Sequence, residues 1–154
     1  KSVHYVATVV SVYRKAIDKC FADMANYKVE DAWGEELNKV SHRPYTTGFA
    51  VQKLGSEGQV YSTSSYEQTH DFVGLVLDYD AETCCAFIEQ RNNVKDGELL
   101  EVLMPDGELF ELELQDMRDQ DGLAISCAPH AQQKFSIQTK RQLLPNSLLR
   151  RKIQ

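Results

Sequence analysis

A chain of 154 residues, 42% apolar and 26% charged, can bury one globular core. No apolar run approaches the ~20 residues that a membrane-spanning helix needs, which argues against a membrane protein. The net charge of −6 is unevenly shared: all 23 acidic residues lie at or before Asp121 with only 11 Lys and Arg, while residues 122–154 hold six basic residues and no acid.

The chain begins at Lys1 with no basic-start, apolar-stretch and cleavage-site pattern, and reads as a piece of a larger protein. The first segment carries Val6, Val9, Val10, Tyr13, Ile17, Cys20, Phe21 and Met24 at spacings of three and four, which predicts a helix with one continuous apolar stripe. Ser2 is placed to cap its start and Asn26 suits its end. A second helix is predicted over Val29–Val40, with Glu30 and Asp31 favourable in its first turn. From Arg43 onward the texture changes to strands and turns. Residues 41–49 are expected to hand the helices over to a sheet and supply its first strand. Gly55–Ser65 is rich in Gly and Ser and reads as a loop.

Phe72–Tyr79 is a near-continuous apolar strand, paired across Asp80-Ala81-Glu82 with Thr83–Gln90. Leu99–Met104 and Glu108–Leu114 flank the turn Pro105-Asp106-Gly107. In the second of these, Phe110, Leu112 and Leu114 alternate with Glu111 and Glu113, one face buried and one wet. Leu123–Cys127 and Lys134–Thr139 are shorter strand candidates, the latter with Phe135 and Ile137 inward. Short strands at close intervals predict a mainly β architecture, a small closed β-barrel preceded by two helices. The stretch from Val94 to Leu103 resembles a strand of the second domain of elongation factor Tu, an analogy of fold alone.

Catalytic patterns are missing. His4, His42, His70 and His130 stand at no metal-ligand spacing from one another or from a cysteine. The ten carboxylates of Asp96–Asp121 alternate with apolar residues as the wet face of a sheet does, without calcium-loop spacing. Cys20, Cys84, Cys85 and Cys127 form no Cys-x-x-Cys pair, and free thiols in a reducing cytoplasm account for them. There is no Gly-x-Ser-x-Gly elbow and no Gly-rich phosphate loop. A non-catalytic domain is the expectation, with no cofactor of its own.

Two groups suit RNA. His42, Arg43 and Tyr45 combine a cation with aromatic rings, as base stacking and phosphate contact require, and equally suit a domain junction anchored by Arg. Lys140, Arg141, Arg150, Arg151 and Lys152 of the basic tail suit a polyanion, and equally suit the chain's own acidic surface.

Beyond these readings the chain resembles the U-thirty-two (collagenase-like) peptidase family in its C-terminal portion. The resemblance is carried by Lys1-Ser2, the run from Tyr5 to Val10, Tyr13-Arg14, the string Ser41-His42-Arg43-Pro44-Tyr45-Thr46-Thr47-Gly48-Phe49, the strand Phe72–Tyr79, the run from Ile88 to Asn92, Ala128-Pro129-His130 and Leu149-Arg150-Arg151. It implies that residues 1–42 trail from an N-terminal catalytic region and that 43–154 form the family's C-terminal β-barrel. The family's Gly- and Cys-bearing signature is absent from these residues. The resemblance further implies an accessory role beside tRNA wobble-uridine hydroxylation, with tRNA and the catalytic region as partners and an iron–sulfur cluster, where present, held in that region. The family's name implies instead the positioning of a protein substrate for proteolysis. A purely structural barrel is the plainest alternative.

Overall fold

The structure, a computed structural model, describes residues 1–56 and 66–153. Ser2 opens α1 (Val3–Ala22) as its sequence predicts: its Oγ accepts the Tyr5 N–H at 3.2 Å, satisfying one of the free donors of the first turn. α1 stops at Asp23, whose carboxylate is engaged by the Asn26 side-chain amide at 2.8 Å. α2 is shorter than the predicted Val29–Val40. It spans Asp31–Leu37, seven residues whose position is set by Trp33 and Glu36 packing inward.

Eight strands follow among the described residues: β1 (His70–Asp80), β2 (Cys85–Gln90), β3 (Val94–Lys95), β4 (Leu99–Leu103), β5 (Leu109–Glu113), β6 (Cys127–Ala128), β7 (Lys134–Gln138) and β8 (Leu148–Lys152). Six form one antiparallel sheet in the order β5-β4-β8-β1-β2-β7, and β3 pairs with β6. The predicted strand over residues 41–49 is not formed; only His42 bridges, to Glu67, through two backbone hydrogen bonds of 3.0 and 2.9 Å. Of the predicted Leu123–Cys127 strand only the last residue is in a strand. The Gly55–Ser65 loop lies mostly outside the described residues.

The protein is mainly β, with the large sheet curled into a half-barrel. Curling is built into β1, where the register shifts against β8 between Phe72 and Gly74 and against β2 between Val76 and Asp78. Such bulges increase local twist and bend the strand. Gly74 sits between them because a Cβ there would lie 2.9 Å from Ile88 Cγ2 and 3.3 Å from Leu149 Cδ1. Within the described residues β5 and β7 are not paired as strands, so the ladder does not run around the full circle expected of a closed barrel. The seam is crossed by the irregular segment after β5: Gln138 N–H donates to Gln115 O at 3.0 Å, and Arg118 and Ser136 exchange two bonds of 2.9 and 2.8 Å.

The concave side holds the core, with Val73, Val76, Ile88, Val102, Leu114, Phe135, Ile137 and Leu149 at 3% exposure or less. Phe135 and Ile137 point inward as their alternation predicts. Each such side chain contributes about 1.5–3 kcal/mol through burial. At the β4–β5 hairpin Gly107 adopts φ +86°, the left-handed region glycine reaches without a steric cost. Its carbonyl accepts Lys15 Nζ of α1 at 2.5 Å.

The basic tail is the element the sequence reading misses. It is β8, inserted between β1 and β4 near the centre of the sheet. Leu148, Leu149 and Arg150 are all buried, so β8 is covered on both faces. Leu149 joins the core, while Arg150 turns outward beneath the helices.

Candidate nucleic-acid interface and the junction beneath it

Outward from the sheet, β1, β8 and β4 place Phe72, Arg150 and Glu101 side by side in register. The helices land on this row. Arg150 Nη1 donates to Glu36 Oε1 of α2 at 2.6 Å and to Thr8 Oγ1 of α1 at 3.2 Å, and Nη2 donates to Glu101 Oε1 at 2.5 Å. Lys39 completes the network, 2.8 Å from Glu36 Oε2 and 2.6 Å from Glu101 Oε2. Two cations and two carboxylates thus leave the buried cluster near neutrality, the condition under which burying charge is tolerable. Arg150 Nε, like His4 Nε2 and Gln90 Oε1, is buried without a hydrogen-bond partner among the described residues. Burial works against the charge on Glu36, but its contacts with Arg150 and Lys39 hold its carboxyl below the usual range.

His4 lies beside this network, stacked on Phe72 with ring centroids 5.7 Å apart. Burial first and the positive charge of Arg150 second push its pKa down to about 4, so it is neutral at physiological pH. Burial lowers the pKa of His70 as well.

Of the eight residues singled out for RNA contact, Arg150 is therefore an internal junction residue whose charge is matched by the chain's own carboxylates. His42 is also internal. Its Nδ1 donates to Val40 O at 2.8 Å, and its ring stacks on Tyr45 at 4.6 Å and 2° between planes. Tyr45 is half exposed and fixes the segment by donating its hydroxyl to Leu37 O at 2.9 Å. Arg43 is exposed, its guanidinium carbon 5.1 Å above the Tyr66 ring, with no carboxylate partner among the described residues. Arg151 bonds Glu98 and the Asn93 carbonyl, both at 3.0 Å, with Asp71 at 3.5 Å.

Lys152 is exposed and unpaired among the described residues, and stands next to this segment, since Thr69 accepts Ile153 N–H and donates its own N–H to Asn38 O. The structure thus gathers Arg43, Tyr45, Tyr66 and Lys152 near one end of the sheet. Lys140 and Arg141 fall at the other end, where Tyr79 bonds Thr139 O. His70 to Tyr79 spans roughly 30 Å at ~3.3 Å per residue. Arg141 is engaged there by Glu108 at 2.5 Å and lies 3.4 Å over the Phe110 ring. Lys140 is exposed.

Residues 68–150 match the peptidase family U32 C-terminal domain, and residues 1–59 match peptidase family U32. The chain belongs to peptidase family U32. It is 38% identical over 151 residues to tRNA hydroxylation protein P1 of Bacillus subtilis (strain 168), a match covering 98% of this chain and 36% of that protein. It is 30% identical over 130 residues to tRNA hydroxylation protein P of Escherichia coli (strain K12), covering 84% of this chain and 28% of that protein. The chain thus spans about a third of the length of these curated relatives. Among solved structures it resembles the selenomethionine form of the C-terminal domain of a protein assigned to the U32 peptidases of Geobacillus thermoleovorans, at 36% identity and a TM-score of 0.50, covering 53% of this chain and 99% of that one.

In this U32 chain the four cysteines are free, and no three His, Cys, Asp or Glu side chains among the described residues converge on one point. What the described residues offer is a cation–aromatic surface at the Arg43 end, mounted on a junction that welds helices to sheet. Thr8, Glu36, Lys39 and Glu101 of that junction were not singled out from sequence. The available signal was the run Leu148-Leu149-Arg150, an apolar strand start whose charge stands on the face opposite Leu149 and is covered by the helices.

Proposed function

We propose that this U32 chain is a non-catalytic accessory module of a tRNA wobble-uridine hydroxylation protein, with residues 43–154 as its C-terminal domain and residues 1–42 belonging to the catalytic region. The observation that carries this reading is the 38% identity, over nearly the whole chain, to a tRNA hydroxylation protein. The RNA contact is assigned to Arg43, Tyr45, Tyr66 and Lys152, because a guanidinium over a ring beside a lysine, neither paired with a carboxylate among the described residues, suits a base and its phosphate. Lys140 is a second, separate phosphate contact. The same reading takes the seam bonds of Gln115 and Arg118 as barrel closure of the elongation factor Tu type, and the cytoplasm as the place of work, with tRNA and the catalytic region as partners and any iron–sulfur cluster in that region.

The test is retardation of tRNA by the chain at low salt. Binding is expected, and Arg43→Ala with Lys152→Ala should weaken it uniformly and lower the salt slope by about 0.7–0.9 per lost contact. No retardation at low salt refutes the reading. The family name favours a second reading, the positioning of a protein substrate. Gelatin cleavage by the full-length protein, weakened when this domain is deleted, would favour it instead.

A further inference from the structure

α1 faces two ways, and its more apolar face is turned away from the sheet. Val3, Val6, Val10, Tyr13, Ile17 and Phe21 are 42–78% exposed. At 3.6 residues per turn these six fall within an arc of about 80°, and His4, Thr8 and Val12, the buried residues of α1, lie across the helix axis from it. The sequence stripe is thus real, but this part of the protein does not bury it. Beside it, between Val6 and Val10 on the helix and Met104, Pro105 and Leu148 on the sheet, runs a groove of about 520 Å³.

The stripe extends about 27 Å at ~1.5 Å per residue, too long for a small ligand. It exposes roughly 700 Å² of apolar side chain, more than the few-hundred-Å² patches of ordinary monomers and close to one partner's share of a standard interface. A helix buried on one face and apolar on the opposite one belongs between two layers.

We infer that the outer face of α1 is a docking surface for the remainder of the U32 region, which closes over Val3–Phe21 and inserts apolar side chains into the groove, making α1 a wall shared by both domains. Two findings commit the surface to that occupant. α1 lies in the part matched by the peptidase family U32 model, not in the part matched by the C-terminal model. The Bacillus subtilis relative carries nearly two thirds of its length outside the region this chain matches, so a tethered partner of sufficient size is available in the family. The Arg150 junction fixes the other face of α1, so docking on this wall would set the orientation of the two domains. The inference rests on family membership and not on the RNA reading.

The test places Val10→Cys or Ile17→Cys in the 154-residue chain and in a full-length U32 protein carrying it, with Leu123→Cys on an exposed turn as the reference. Thiol labelling is read site by site by peptide mass spectrometry, so the native cysteines do not interfere. Labelling at positions 10 and 17 should slow at least tenfold in the full-length protein and stay fast in the 154-residue chain, with position 123 equal in both. Equal rates in the two proteins would overturn the inference. So would slow labelling in a 154-residue chain that elutes as a dimer, since a second copy would then be the occupant. Val10→Asp with Ile17→Asp adds a readout independent of labelling: the 154-residue chain should keep its melting temperature while the full-length protein loses several degrees. Unchanged melting of the full-length protein would count against the shared wall.

Discussion

Replacing Arg150 by Met removes a side chain that bonds α1, α2 and β4 together. Its guanidinium is fully buried, and its partners Glu36 and Glu101 are only 9% and 23% exposed. Without it two carboxylates are left with a single cation, Lys39, which keeps its contacts of 2.8 and 2.6 Å. Breaking a buried ion pair costs about 3–5 kcal/mol, and the remaining Lys39 places this case at the lower end, about 3 kcal/mol. With a urea dependence near 2 kcal/mol per molar, the unfolding midpoint should fall by roughly 1.5 M. The loss should also depend on pH. Glu36 has its folded pKa held down, so its contribution is complete above its unfolded pKa and disappears as pH falls through the folded value. The difference between Arg150→Met and the parent should therefore be full at pH 7 and shrink below about pH 4.5. Adding Glu36→Gln and Glu101→Gln to Arg150→Met should restore stability to within about 1 kcal/mol, since no unpaired charge then remains. A loss below about 1 kcal/mol at pH 7, or one unchanged down to pH 3, would refute the account of a desolvated, charge-matched junction. A loss of RNA retention on changing Arg150 would then report unfolding of the junction, so Arg43 and Lys152 are the cleaner probes of RNA contact.

Three other predictions follow from the same geometry. His4 is held neutral with a pKa of about 4 against an unfolded value near 6.5, so unfolding takes up a proton between those values; stability should be complete above pH 6.5 and fall by about 2 kcal/mol by pH 5. His4→Phe should flatten that part of the pH profile in thermal melts, and an unaltered profile would assign the slope to another group. Gly74→Ala should destabilise by about 1–3 kcal/mol in denaturant titration, because the new methyl meets Ile88 at 2.9 Å in a packed core; a neutral outcome would mean that β1 and β2 can separate at the bulges. Arg141→Ala removes a half-exposed pair and should cost at most about 1 kcal/mol in the same titration, a larger loss indicating that its packing on Phe110 closes the far end of the sheet.

Local chemistry in the sequence determined much of the secondary structure. The Ser2 cap, the turn Pro105-Asp106-Gly107 and the alternations around Phe110 and Phe135 each act within a few residues, and each stands where it was read. Period also determined that α1 has an apolar stripe. It could not say what the stripe faces, because a helical repeat records a direction around an axis and not the neighbour on that side. Only the packing showed that α1 rests on the sheet through His4, Thr8 and Val12 and leaves the stripe outward. The basic tail shows the same division more sharply. Six cations without an acid read as a surface, yet Arg150 meets its carboxylates 114 and 49 positions away and is buried with them in a sheet interior strand. Charge matching at such separations exists only in the folded chain, so the sequence set the elements and the tertiary structure decided which charges remain free to meet a partner.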